Sequence, residues 1–320
     1  MTARDDNAPV TLSRRFGEHT VTAVISPRAA AVRSLRVDDV DLVEPTTMTT
    51  EPPGMSGAIL APWPNRVEDA AWWLDGREHR LTVTEPALGH ATHGLLTTTD
   101  FVVRARRQDA VTLGAAISRP DGYPFVLDVS VSYRLCDSGI VTRIAVHNQG
   151  ATRAPVALGA HPYLRIGDVP TARLRMSLDA DHVWPLDERH LPVGRVPCSV
   201  TDVLVSESPR HATYESSAPG RTLAHTLTAP DGRCVVLTAD GAHRFTQLWI
   251  TDALAGDDGP REAIAIEPMT APPNALRSGV GLHWLDAGAR WTTTWNIRLS
   301  RTGPDADAGC GRQPEASRVR

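Results

Sequence analysis

The run Ala263-Ile264-Ala265-Ile266 leads straight into Glu267, and Pro268, Pro272 and Pro273 stiffen the chain that follows. A carboxylate at the end of an apolar strand is costly to bury unless it is paired or put to use. Stiff flanks are what a preorganised site needs; the alternative is a Glu that leaves the sheet into solvent. A second such place is 157–167, ALGAHPYLRIG. There Gly159 permits close backbone approach, Pro162 pushes His161 towards an extended conformation, and Tyr163 adds an aromatic wall with a hydroxyl. A histidine held this way at a strand end suits a general acid, or a packing role. The third place is 58–66, AILAPWPNR. Pro62 and Pro64 exclude a continuous strand, so Asn65 and Arg66 follow a stiff loop. Arg66 either offers its planar fork to ligand oxygens or braces that loop. The fourth is Thr92-His93-Gly94-Leu95, whose imidazole is either catalytic or a satisfied loop histidine. Trp249, just before Thr251-Asp252, either packs in the core or faces a sugar ring, because apolar sugar faces suit aromatic walls.

The elements that must position these groups read as strands. Period-2 alternation marks 19–25, 81–84, 101–105, 111–117, 125–135 and 140–146. It continues at 174–178, 223–228, 234–238, 246–250, 263–266 and 293–299. Turn pairs Asp75-Gly76, Asp121-Gly122, Ser138-Gly139 and Asp231-Gly232 fall between such runs, as hairpins require. Helical periodicity is nearly absent, with one short turn expected at 275–280. The pattern predicts an all-β chain, a large antiparallel sandwich or barrel, read as one domain over 11–302. The polar first residues and the apolar-poor tail 303–320 are expected to be disordered. Trp72, Trp73, Trp184, Trp249, Trp284, Trp291 and Trp295 otherwise read mostly as core.

Composition excludes several functions. The 320 residues carry 33 basic and 37 acidic side chains, a net charge of −4, which is no footprint for nucleic acid or an anionic membrane. Every basic residue is Arg, so Schiff-base and P-loop lysine chemistry are out. Cys136, Cys198, Cys234 and Cys310 form no CxxC pair or disulfide framework. The histidines lack HExxH spacing, and Asp257-Asp258 reads as a solvated loop, so neither a metal nor a cofactor is expected. No signal peptide or membrane-length apolar run is visible, and the expected location is the cytoplasm.

Taken in order along the chain, LAPWPNRV, HGL, GAHPYL and IEPMTAPPNAL resemble the aldose 1-epimerase (mutarotase) family, in a bacterial subgroup. The likeness spans roughly 56–299. It implies a galactose mutarotase-like β-supersandwich with a sugar-binding cleft open on one sheet. It also implies Glu267 as general base, His161 as general acid, His93 as the second active-site histidine and Arg66 as a sugar-binding arginine. Asn65, Tyr163 and Trp249 join them as substrate-binding residues. One departure stands out: the family's Asp in a Leu-Asp-x-x-Phe/Tyr element corresponds to His211 in Arg210-His211-Ala212-Thr213-Tyr214, so sugar preference is expected to differ.

The chemistry implied is interconversion of α and β anomers by ring opening and closing, with His161 initially protonated and Glu267 ionised, each favoured by neighbouring opposite charge. A phosphosugar 1-epimerase is the first alternative, with Arg165 a candidate phosphate ligand. A non-catalytic carbohydrate-binding protein is another. A glycoside hydrolase would need two opposed carboxylates. A small-molecule sugar and a monomer or homodimer complete the expectation.

Overall fold

The computed structural model describes residues 8–46, 51–218, 220–256 and 259–300. The expected tail 303–320, residues 1–7 and Asp257-Asp258 lie outside these. Two large antiparallel sheets dominate. The nine-stranded sheet runs, in spatial order, Val102–Arg106, Ala110–Ser118, Val126–Cys136, Gly139–Asn148, Arg290–Ser300, Cys234–Ala239, Leu223–Thr228, Arg175–Leu178 and Val200–Leu204. The strand Arg290–Ser300 closes between two hairpins and joins the C-terminal part of the fold to the middle. The eight-stranded sheet runs Val196–Pro197, His182–Trp184, His211–Glu215, Phe245–Gly256, Gly259–Met269, Gly159–Ala160 and Ile59–Leu60, with Tyr163–Leu164 also paired to Gly259–Met269. A four-stranded sheet, Val10–Phe16 to Val40–Asp41, completes the large elements.

Alternation decides which face each strand buries. Along Val126–Cys136, Leu127, Val129, Val131, Tyr133 and Leu135 turn inward into the main apolar cluster. Ile264, Ile266 and Leu248 of the eight-stranded sheet enter the same cluster, so the two sheets share one core as a sandwich does. Each fully buried aliphatic side chain contributes about 1.5–3 kcal/mol relative to exposure. The Asp75-Gly76, Asp121-Gly122, Ser138-Gly139 and Asp231-Gly232 turns fall at strand junctions as expected, and Ala275–Ser278 is a single helical turn.

Two expectations need correction. Residues 81–84 are not a strand; Arg77–Arg80 pairs with Ala71–Leu74 instead. The chain past Leu81 finds other partners: the Thr84 hydroxyl takes the Thr92 N–H at 2.8 Å, and the His90 carbonyl takes the N–H groups of Thr84 and Glu85. Nor are the tryptophans mostly core: Trp184, Trp249 and Trp291 are half-buried. Trp72 and Trp295 are buried, but Trp73 and Trp284 are 49% and 37% exposed. Their faces are covered by the guanidinium groups of Arg277 and Arg153, 4.9 and 4.7 Å from the ring centres.

Candidate active site

The sheet alternation that fills the core also builds a cleft on the opposite face of the eight-stranded sheet. In AIAIE, Ile264 and Ile266 point to the core, while Ala263, Ala265 and Glu267 point the other way. The small alanines leave room for a ligand, and Glu267 closes the row. On the adjacent strand, Gln247 lies opposite Glu267 and Trp249 opposite Ala265. The cleft has a volume of about 240 Å³, and Glu267, His161, His93, Arg66, Asn65, Tyr163 and Trp249 all line it. The structure thus brings together seven of the eight residues singled out in the sequence.

His161 Nε2 stands 3.4 Å from Glu267 Oε1, both side chains almost wholly buried. Glu267 Oε2 and His161 Nδ1 are buried and have no hydrogen-bond partner among the described residues. Such orphans are costly unless a ligand completes them. The Tyr163 ring packs on His161 with centroids 5.1 Å apart, and His93 meets His161 edge-on at 5.4 Å. Two glycines allow this closeness. A Cβ on Gly159 would lie 3.0 Å from Pro64 Cβ and 3.2 Å from the Pro268 carbonyl, so the close approach read at Gly159 is present. A Cβ on Gly94 would lie 2.1 Å from the Ala61 carbonyl oxygen.

Arg66 is not a bare cation. Its Nε and one Nη donate to both oxygens of Glu85 at 2.8 and 2.9 Å, a planar bidentate pair. Asn65 is a hub as well as a lining residue. Its Oδ1 accepts the Arg66 backbone N–H at 2.9 Å, and its Nδ2 donates to Gln247 Oε1 at 3.2 Å. Thr213 donates to the same Gln247 oxygen at 2.6 Å. Glu85, Gln247 and Thr213 were not found from sequence. Glu85 precedes Pro86 in what reads as a turn, and the other two sit on the polar side of ordinary alternating strands.

Burial governs the protonation of the central pair. It pushes His161 down to about 4 and Glu267 well above the usual carboxylate range. The Arg66 charge pulls Glu267 partly back and lowers His161 further. This corrects the expectation of a protonated His161 beside an ionised Glu267: desolvation outweighs opposite charge, and each group favours its neutral form. Burial also lowers His93 well below its usual value and raises Tyr163, which keeps its proton.

His93, His161 and Glu267 lie close enough together to suggest a metal triad, with ligand atoms within 4.8 Å of one another. The hydrogen bonding does not fit one. His93 Nδ1 accepts the Asn65 backbone N–H at 3.2 Å, so the neutral ring carries its proton on Nε2. Metal-binding histidines show the reverse, donating from the far nitrogen and keeping the near one bare. His93 therefore presents a donor to the cleft.

Two further residues fall elsewhere. His211 does not line the cavity itself; it stacks on Trp249, with centroids 5.1 Å apart and planes 24° apart. Arg165 is engaged by Glu44 at 3.0 Å and by the Gly167 carbonyl. Among the described residues, no helix is long and apolar enough to cross a membrane.

Comparison with known proteins gives the family and agrees with the fold. The family model of aldose 1-epimerase matches residues 14–298. The uncharacterized protein YihR of Escherichia coli K12 is 30% identical over 293 residues, covering 90% of this chain and 92% of that protein. Galactose mutarotase of Sus scrofa is 28% identical over 148 residues, 44% of this chain and 42% of its own length. The structure of an aldose epimerase homologue from C. elegans superimposes with a TM-score of 0.78 at 16% identity, over 92% of this chain and all of that one. A galactose mutarotase-like protein from Clostridium acetobutylicum gives 0.77 at 16% identity, over 92% and 99%. The chain belongs to the aldose 1-epimerase family.

Proposed function

We propose that Glu267 and His161 are the proton-transfer pair of this aldose 1-epimerase, Glu267 acting at O1 and His161 at O5 of a cyclic aldose. The observation that carries this is the 3.4 Å approach of His161 Nε2 to Glu267 Oε1 in a buried cleft, with Glu267 Oε2 left without a partner. The O1 hydroxyl donates to that orphan oxygen, and a hydrogen bond to a carboxylate favours its ionised form. The proton that Glu267 held passes to His161 across the short contact. Glu267 then takes the O1 proton as the C1–O5 bond breaks and C1=O1 forms, and His161 gives its proton to O5. Rotation about C1–C2 presents the other face of the aldehyde. O5 attacks C1 and returns its proton to His161, while O1 recovers one from Glu267. Nothing is consumed.

His93 supplies an Nε2–H donor, and Arg66, held flat by Glu85, supplies charge where oxygen becomes more negative. Trp249 and Tyr163 wall the ring. The engagement of Arg165 by Glu44 favours an unphosphorylated aldose over a phosphosugar. A cytoplasmic enzyme fits Cys198 and Cys234, both free thiols.

Polarimetry on a panel of aldoses, with and without a 6-phosphate, tests the reading. Glu267→Gln and His161→Ala should each lower kcat by roughly 10²-fold or more with the fold kept. Near-native mutarotation by either variant would remove its residue from the mechanism.

A further inference from the structure

We infer that His190, carried by a strap beside the cleft, is a specificity-determining residue that hydrogen-bonds a hydroxyl at the end of the sugar remote from the anomeric centre. The inference rests on the placement of O1 and O5 at Glu267 and His161, and it concerns where the rest of the ring goes.

On the sheet, Trp249 lies two residues along from Gln247, the cross-strand neighbour of Glu267, and His211 lies opposite Trp249 on the next strand. With strands about 4.8 Å apart and about 3.4 Å per residue, the His211 backbone is offset from that of Glu267 by roughly 10 Å across and 7 Å along. That spacing suits the two ends of one pyranose held between side chains. His190 packs against both members of this remote wall. Its ring centre is 4.5 Å from that of His211 and 6.0 Å from that of Trp249; of the three only Trp249 lines the cavity, and His190 and His211 stand behind it at its rim.

The strap is built to put it there. The segment 185–193 leaves the His182–Trp184 strand and folds on itself, with Asp187 accepting the N–H groups of Arg189 and Leu191 on its carboxylate. Arg189 then pins the strap to the opposite wall, through Asp69 and the Leu88 carbonyl, while its own carbonyl meets His90 Nε2 at 3.2 Å. His90 and Leu88 flank the turn that begins at Glu85, the partner of Arg66. The next residue, His190, has a left-handed backbone, φ 60°. A non-glycine residue in that region is uncommon and is maintained only where its surroundings over-determine it. Its Nδ1 is buried and has no partner among the described residues.

Burial and the Arg66 charge lower the pKa of both His190 and His211. Two neutral imidazoles each offer one donor and one acceptor. That suits a neutral hydroxyl, and where the family's Asp would only accept, this wall also donates.

The test uses the full chain and whichever of glucose, galactose and mannose it turns over best, together with the 4-deoxy and 6-deoxy forms of that sugar. His190→Ala should raise KM for the parent sugar about tenfold with kcat within twofold and unchanged thermal stability. For the deoxy sugar that lacks the recognised hydroxyl, wild type and variant should show equal kcat/KM. Equal losses on the parent and both deoxy sugars, or a fall in kcat at constant KM, would overturn the assignment. An active wild type with an unaffected His190→Ala would overturn this inference alone. A wild type inactive on every sugar would overturn the acid–base reading and this one with it.

Discussion

Asn65 gives its backbone N–H to His93 Nδ1 at 3.2 Å, and His93 returns its own backbone N–H to the Asn65 carbonyl at 2.9 Å. Both residues have left-handed backbones, with φ of 56° and 61°. This reciprocal pair sets the tautomer of a cleft histidine without a charged partner. The same Asn65 side chain reaches Gln247, so the loop that bears Arg66 is registered against the strand next to Glu267.

A donor at His93 Nε2 predicts behaviour opposite to that of a metal ligand. His93→Ala should lower kcat/KM by about 10²-fold, the size of effect seen when a donor to developing oxygen charge is lost. Exhaustive EDTA treatment should leave wild-type kcat unchanged. Activity lost to chelation and restored by zinc would show that the His93–His161–Glu267 cluster does bind metal.

The pH profile follows from the direction of the two pKa shifts. The pair works with one proton between its members. A second is added to His161 only near pH 4, and the last is lost only well above the usual carboxylate range. The profile of kcat/KM should therefore be a broad bell whose acid limb lies near 4 rather than at the ordinary histidine value of about 6.5. An infrared difference spectrum between wild type and Glu267→Gln at pH 7 should show a protonated carboxyl band. The absence of that band would mean that the pair is an ion pair before sugar binds, and an acid limb near 6.5 would mean that burial does not lower His161.

The same shift makes Glu267 a cost to the fold. In the unfolded chain its carboxyl ionises above about 4.5, whereas the folded protein holds it protonated to higher pH. The contribution of Glu267 to stability must then fall as pH rises from there towards its folded pKa. Glu267→Gln carries no such penalty. Its melting temperature should exceed that of wild type at pH 7, and the difference should vanish below pH 4. A variant less stable than wild type at pH 7 would show that Glu267 is satisfied in the fold.

Much of this could be read from the sequence because two signals coincided. AIAIE announces both its buried strand and the carboxylate at its end, and prolines mark the loops that carry Arg66 and follow Glu267. Thr213 and Gln247 gave no signal, because a strand face turned to a wet cleft has the same alternation as one turned to bulk solvent. His190 was hidden for another reason. Its importance comes from a strap pinned by Arg189 to Asp69, a contact between residues 120 apart in the chain. The burial of His161 and Glu267 was equally invisible: opposite charges side by side suggest an ion pair until the loss of water is weighed against them.

Glu85 has no place in the proposed proton transfers, yet it should matter to rate. Its carboxylate holds Arg66 in one plane by two hydrogen bonds, and the Arg66 side chain is 9% exposed. Glu85→Gln keeps the shape but loses the charge and one acceptor, so Arg66 is freer to turn. We expect kcat/KM to fall about tenfold, chiefly through KM, since Arg66 would then be positioned partly by the sugar itself. An unchanged KM in Glu85→Gln would show that Arg66 is held well enough by Asn65 alone.

Gly94 gives the most direct test of how tightly the site is assembled. Its φ is +78°, and an added Cβ would sit 2.1 Å from the Ala61 carbonyl oxygen and 2.4 Å from its carbon. Both obstacles are backbone, so no side chain can swing aside. The Leu95 N–H donates to that same carbonyl at 2.8 Å, and Asn65 lies four residues further on from Ala61. Movement here must therefore shift His93 against its Asn65 partner. Gly76 provides the control: its φ is +75°, but nothing lies within 4 Å of an added Cβ. Gly76→Ala should cost only the left-handed backbone penalty, about 1–2 kcal/mol, and leave kcat/KM intact. Gly94→Ala should cost clearly more, and the protein that still folds should lose at least roughly tenfold in kcat/KM, because about an ångström of misplacement is enough. If the two variants melt together and both remain fully active, the Ala61–Gly94 approach does not hold His93 in place.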